Sequence, residues 1–242
     1  MRSWVIGLLA AALMCTACGS RDEAAPSTSS PRASTPAAAS SPSSSDNPGT
    51  AAAEHEGKPK IVFLGDSLTA GLGLSEDEAY PIVLQRRLQK EGLPYDVVNA
   101  GVSGDTSAGG LSRLEWALDG DVRVLVVALG GNDALRGLPP EELKRNLAEI
   151  IRRAQARHIT VVLAGMEAPP NYGRDYAVAF HRVYPALAKE YHVALVPFLL
   201  QGVGGVARLN QRDGIHPTAE GARIVADNVW TILAPIVERR AS

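Results

Sequence analysis

Apolar residues along the chain gather into two kinds of segment: short unbroken runs, and longer runs spaced at three and four. Ile61-Val62-Phe63-Leu64 is unbroken and stops at Gly65, and Val97-Val98 ends a second strand before Asn99-Ala100-Gly101. Val122 to Leu129, closed by Gly130-Gly131, is the strongest third run; Ile159 to Leu163 and Val193 to Val196 supply a fourth and fifth. Unbroken runs of this length predict strands covered on both faces, as in a parallel sheet. Between them, Ala79 to Glu91 sets Ile82, Leu84 and Leu88 among Gln, Arg and Lys. Glu141 to Arg157 follows Pro139-Pro140 and repeats Leu143, Leu147, Ile150 and Ile151 at helical spacing. Tyr172 to Glu190 and Thr218 to Val237 read as two further helices, with Pro185 a point at which the first would kink. The alternation predicts one α/β domain with a right-handed parallel sheet. In such a sheet the ligand site lies beyond the carboxyl ends of the strands, so the loops there are where chemistry is sought.

The first residues follow another pattern. Arg2 precedes an apolar run from Trp4 to Met14, shorter than the roughly 20 residues that span a bilayer but suited to a signal-peptide core. Thr16-Ala17-Cys18 then resembles the lipobox of bacterial lipoproteins, which makes Cys18 the expected lipidated residue. Cys15 stands where that pattern usually has Leu, so a plain secretory signal cleaved nearby stays open. Gly19 to Gly57 holds no Val, Ile, Leu, Met, Phe, Trp, Tyr or Cys. It cannot repay the entropy of ordering and reads as a disordered tether, with ends about 35 Å apart as a flexible coil. The expected organisation is therefore a leader over 1–18, a tether over 19–57 and a catalytic domain over 58–242. The expected location is outside the cytoplasm, periplasmic or at the cell surface, on a membrane through the lipid anchor.

Composition narrows the chemistry. A formal net charge of −2 over 242 residues gives no reason to expect nucleic acid or an anionic surface as the main partner. Both cysteines lie in the leader, so the folded part has no disulfide, thiolate nucleophile or Cys-ligated metal.

Four loops remain. The first, Gly65-Asp66-Ser67-Leu68, puts a serine directly after a buried strand, where it reads equally as an exposed nucleophile or a helix cap. The second and third, Asn99 to Thr106 and Leu129 to Asp133, carry glycines and Asn132, groups able to donate to a developing oxyanion but also common in ordinary turns. No phosphate-binding GxxxxGK[ST] or GxGxxG is present, and GxSxG is absent too. Asp66, Asp105 and Asp133 include no marked pair for glycoside chemistry. The fourth loop, Arg212-Asp213-Gly214-Ile215-His216-Pro217, places an acid three residues before a histidine. A serine nucleophile needs such a base, and the base needs a carboxylate to fix its tautomer. Of the other histidines, His55 is in the tether, His158 and His192 precede strands at the far end, and His181 is mid-helix. No HExxH or Cys/His spacing suggests a metal, and no cofactor is expected.

These four blocks, in this order, resemble the SGNH subgroup of the GDSL esterases and lipases over Lys60 to Ile236. Leu135-Arg136-Gly137-Leu138-Pro139 and Asn171-Tyr172-Gly173 are most similar to the multifunctional thioesterase I / protease I / lysophospholipase L1 group, also labelled arylesterases. The resemblance implies a three-layer α/β/α sandwich like flavodoxin, with a five-stranded parallel sheet. It implies Ser67 as nucleophile, His216 as base and then acid, and Asp213 as its orienter. The Ser67 and Gly104 amides and the Asn132 side chain would form the oxyanion hole. Asp66, Leu135, Leu138, Pro139, Pro169 and Tyr172 would border the substrate, a small ester or a lysolipid. The alternatives are a carbohydrate O-acetyl esterase and a non-catalytic binding lipoprotein of the same fold. Oligomeric state is not legible.

Overall fold

The computed structural model describes residues 57 to 241. The expected leader, Cys18 and all but the last residue of the expected tether lie outside the described residues. In chain order the elements are β1 (Lys60–Gly65), α1 (Ser67–Ala70), α2 (Tyr80–Lys90), β2 (Asp96–Gly101), α3 (Ser107–Ser112) and α4 (Leu114–Ala117). They continue with β3 (Val122–Ala128), α5 (Gly131–Leu135), α6 (Pro140–Ala156), β4 (Thr160–Ala164), α7 (Arg174–Tyr191), β5 (Ala194–Val196) and α8 (Ala219–Ala241).

The five strands form one sheet in the order β2-β1-β3-β4-β5, and every pairing is parallel. β1 and β3, at positions two and three, are its buried centre: Ile61, Val62, Phe63, Leu64, Val124, Leu125, Val126 and Val127 are all solvent-free. α2 packs on α8, while α6 packs on α3 and α7, giving a helical layer on each side. The alternation of runs predicts the single parallel α/β domain, and the family resemblance implies the three-layer α/β/α sandwich that it forms.

Local chemistry accounts for the elements. α6 opens on Pro140, carries Glu141 and Glu142 in its first turn, and buries Leu143, Leu147, Ile150, Ile151 and Ala154 on one face. Proline supplies a preset φ where its missing N–H is not needed, and acids favour the positive end of the helix dipole. α7 runs on through Pro185 and α8 through Pro235. β2 is longer than its apolar run, continuing through Asn99, Ala100 and Gly101 because each pairs in register with β1. That extension carries β2 level with Gly65, so the loops after β1 and β2 leave the sheet side by side.

Candidate active site

α1 begins two residues after the buried strand end, with Asp66 between them. Asp66 is its cap, with Oδ1 accepting the Leu68 amide at 3.0 Å. Ser67 is therefore not the cap and its hydroxyl is free for another partner. His216 Nε2 lies 2.9 Å from Ser67 Oγ, across 149 residues of sequence. His216 Nδ1 lies 2.6 Å from Asp213 Oδ2. Asp213 Oδ1 accepts the backbone amides of Ile215 at 2.9 Å and His216 at 3.0 Å, so one carboxylate both shapes the loop and orients the ring. The His216 contact and those two amides hold the Asp213 carboxyl down to about 2, leaving a fixed anion behind the imidazole at any neutral pH. The ring then carries its hydrogen on Nδ1 and offers Nε2 as a base toward Ser67.

The two loops opposite Ser67 are tied together. Asn132, in the first turn of α5, donates from Nδ2 to the Asp105 carbonyl at 2.9 Å, with Asp66 Oδ2 at 3.4 Å. Gly104 sits at φ 85°, a left-handed conformation that glycine adopts without cost. Arg136 donates to the Gly104 carbonyl at 2.8 Å. Arg113 donates from Nε to Asp105 Oδ2 at 2.6 Å and from Nη2 to the Gly65 carbonyl at 2.9 Å, fastening the second loop to the end of β1. Gln211 does the same for the last loop: its Nε2 donates to the Leu72 carbonyl at 2.7 Å and to the Pro217 carbonyl at 2.9 Å.

A cleft of about 370 Å³ opens beside Ser67 and His216, within the range of small-molecule sites. Leu68, Leu135, Met166, Pro169, Leu200 and Ile215 give it an apolar wall. Of the residues that the resemblance puts beside the substrate, Leu135 and Pro169 line this cleft, whereas Leu138, Pro139 and Tyr172 do not. Each of the three is engaged behind it. The Leu138 carbonyl accepts the Tyr176 hydroxyl at 2.9 Å, the Pro139 carbonyl accepts the Glu142 amide at 2.9 Å at the start of α6, and Tyr172 donates to the Leu135 carbonyl at 3.1 Å. Tyr172 supports the loop that carries Leu135. Asp66 lies at the cleft edge with only 2% of its surface exposed, so its carboxyl faces Leu68 and Asn132. Met166, Leu200 and Ile215 were not legible as wall residues; nothing in their local sequence marks them.

The remaining acids and histidines have other work. Asp133 is buried and accepts the Ser107 amide at 2.8 Å and the Ser107 hydroxyl at 2.5 Å, joining α5 to α3. Asp105 is paired with Arg113. His181 pairs with Glu167 at 2.7 Å, and His158 and His192 sit at the far end of the sheet with φ near 58° and 53°.

A seryl hydroxyl on an oriented imidazole, beside an apolar cleft and amide donors, defines a serine hydrolase of acyl bonds. The GDSL-like Lipase/Acylhydrolase family profile matches residues 63–224, and the chain belongs to that family of ester hydrolases. It is 48% identical over 178 residues to Esterase TesA of Pseudomonas aeruginosa, covering 73% of this chain and 89% of that one. It is 40% identical over 178 residues to Thioesterase 1/protease 1/lysophospholipase L1 of Escherichia coli K12, covering 73% and 84%. A crystal structure of TesA superposes with a TM-score of 0.70 at 47% identity, covering 73% of this chain and 98% of that one.

Proposed function

We propose that the protein is an exported serine esterase that works through an acyl-enzyme on Ser67. The observation that carries this reading is the bonded series Ser67 Oγ, His216 Nε2, His216 Nδ1 and Asp213 Oδ2, at 2.9 and 2.6 Å. His216 takes the Ser67 proton as Oγ attacks the ester carbonyl, and the carbonyl π pair moves to oxygen. The oxyanion is met by the Ser67 and Gly104 amides and by the Asn132 N–H not taken by Asp105. Collapse expels the alcohol, which leaves with the proton from His216. Water then enters by the same route, His216 takes its proton as the water oxygen adds to the acyl carbonyl, and His216 returns that proton to Ser67 Oγ as the acid departs.

The substrate follows from the cleft and the leader. An apolar wall of Leu68, Leu135, Met166, Pro169 and Ile215 around about 370 Å³ favours an acyl or aryl chain over acetyl alone. The relatives' names cover esters, thioesters and lysophospholipids. A leader ending in Cys18 and a tether to Gly57 put this enzyme outside the cytoplasm, anchored by lipid, where acyl-CoA is absent. Small esters and lysolipids are then the substrate class. Among the described residues no helix is long and apolar enough to cross a membrane. The test is labelling with a fluorophosphonate: wild type labels once and Ser67→Ala not at all. Persistent labelling of Ser67→Ala assigns the nucleophile elsewhere. A rate profile over p-nitrophenyl esters separates the readings of substrate, since activity confined to acetate points to the carbohydrate O-acetyl esterase. Mass spectrometry of the mature N-terminus reads the lipid on Cys18.

A further inference from the structure

Asp66 is in an adverse place for a carboxyl. It is solvent-free to within 2%, and among the described residues no lysine or arginine bonds to it. Burial raises its pKa to about 6, so near neutral pH the charge is still present in a dry setting. An isolated buried charge lowers stability. Capping α1 explains Oδ1, which accepts the Leu68 amide, but an asparagine or serine would cap as well without a charge. The cap leaves Oδ2 unexplained. That oxygen faces Asn132 Nδ2, and Gly131 leaves room for it: a Cβ at 131 would lie 3.1 Å from Oδ2.

We propose that Asp66 is a positioning residue for the oxyanion hole, its carboxylate holding the Asn132 amide with nitrogen rather than oxygen toward the cleft. The inference rests on the reading of Asn132 as an oxyanion donor. An amide NH₂ has two N–H bonds, and the Asp105 carbonyl takes one at 2.9 Å. The terminal torsion of asparagine is broad, so a single bond fixes the amide poorly. A carboxylate accepts and never donates. Turning the amide over would set Asn132 Oδ1 against Asp66 Oδ2, two acceptors with no hydrogen between them. The 3.4 Å separation matters too. It exceeds the usual N–H···O range of about 2.7–3.2 Å, so this N–H is steered but not consumed. When negative charge develops on the substrate oxygen, the same N–H is available to it.

The experiment measures kcat and KM on p-nitrophenyl butyrate for the wild type, Asp66→Asn, Asn132→Ala and the double variant. Asp66→Asn keeps an oxygen for the Leu68 amide and turns its own NH₂ toward Asn132. The expected result is a kcat about tenfold lower with KM within about twofold. In the Asn132→Ala background the same change is expected to cost less than about twofold, because the group it positions is gone. Unchanged kcat in Asp66→Asn overturns the inference. So does a full loss that persists in the double variant, since that marks a defect of the α1 cap. If Asn132→Ala itself leaves kcat intact, the oxyanion reading fails; if it lowers kcat while Asp66→Asn does not, only the role of Asp66 fails. Should Asp66→Asn not fold, Asp66→Ser replaces it, keeping a capping oxygen too short to reach Asn132, with the same outcomes expected.

Discussion

The loop after β1 and the loop before α8 each hold an aspartate next to a member of the proposed catalytic set, and the two carboxyls sit in opposite surroundings. Asp213 is 45% exposed, collects two backbone amides and an imidazole, and is held down to about 2. Asp66 is buried, has one amide and one long contact, and is pushed up to about 6. The first is an anion made comfortable, the second an anion kept under tension. Water can enter beside Asp213 without changing what it does, because its bonds to the loop and ring are short. Asp66 works only because water is excluded. A carboxylate that must hold a base needs bonds; one that must steer a donor needs a dry neighbour and distance.

Asp213→Asn breaks the comparison most strongly. It removes the fixed anion and permits the wrong imidazole tautomer, and kcat/KM on a soluble ester is expected to fall by about 10³–10⁴. Asn132→Ala follows, with kcat lower by about 10²–10³ and little change in KM, the usual loss for one oxyanion donor. A change confined to KM would make Asn132 a binding group only. The pH dependence of stability then separates the two acids, read by thermal unfolding between pH 2 and pH 7. Asp213 has a lowered folded value, so its contribution is present above its ordinary 3.8 and is lost as pH falls through about 2. Asp66 has a raised value, so its contribution declines as pH rises from 3.8 to about 6. That shift corresponds to roughly 3 kcal/mol at neutral pH, and Asp66→Asn is expected to flatten this window and leave the acid limb. A variant whose profile matches the wild type would place the buried charge elsewhere. The smallest effect is expected from Gly131→Ala, whose Cβ would meet Asp66 Oδ2 at 3.1 Å and Met166 Cε at 3.3 Å. Met166 can bend away and Asp66 cannot, so kcat should drop a few-fold with stability lower by about 1 kcal/mol.

The sheet was legible because its strands are mostly continuous apolar runs, and α6 because Leu143, Leu147, Ile150 and Ile151 repeat at helical spacing over more than two turns. The end of β2 was not, since Asn99, Ala100 and Gly101 look like a turn and are held as strand only by β1. The short helices α1, α3, α4 and α5 were invisible, because four to six residues are too few to show a period. In the site, Asp213 and His216 could be paired from one loop because they are neighbours in sequence, whereas the loop of Ser67 alone read equally as a helix cap. The contacts that aim them are long in sequence. Arg113 reaches Gly65 across 48 residues, and Ser107 finds Asp133 across 26. The cleft wall fails for a related reason: Leu138, Pro139 and Tyr172 sit on the expected loops but spend their polar groups on bracing them. Position on a loop does not tell which side of it a side chain takes.

The Gln211 clasp has a consequence for how the molecule comes apart. It joins the segment after Ser67 to the loop of His216 through two carbonyls 145 residues apart in sequence. Ordering that junction requires nearly the whole described chain, so during folding it closes after the sheet has formed. By the same reasoning it opens before the sheet does. On heating, the clasp belongs to the low-stability end of the structure, and the base should drift from its nucleophile while the strands remain paired. Activity would then vanish several degrees below the unfolding transition and return on cooling, a reversible failure at the seam between the first and last site loops.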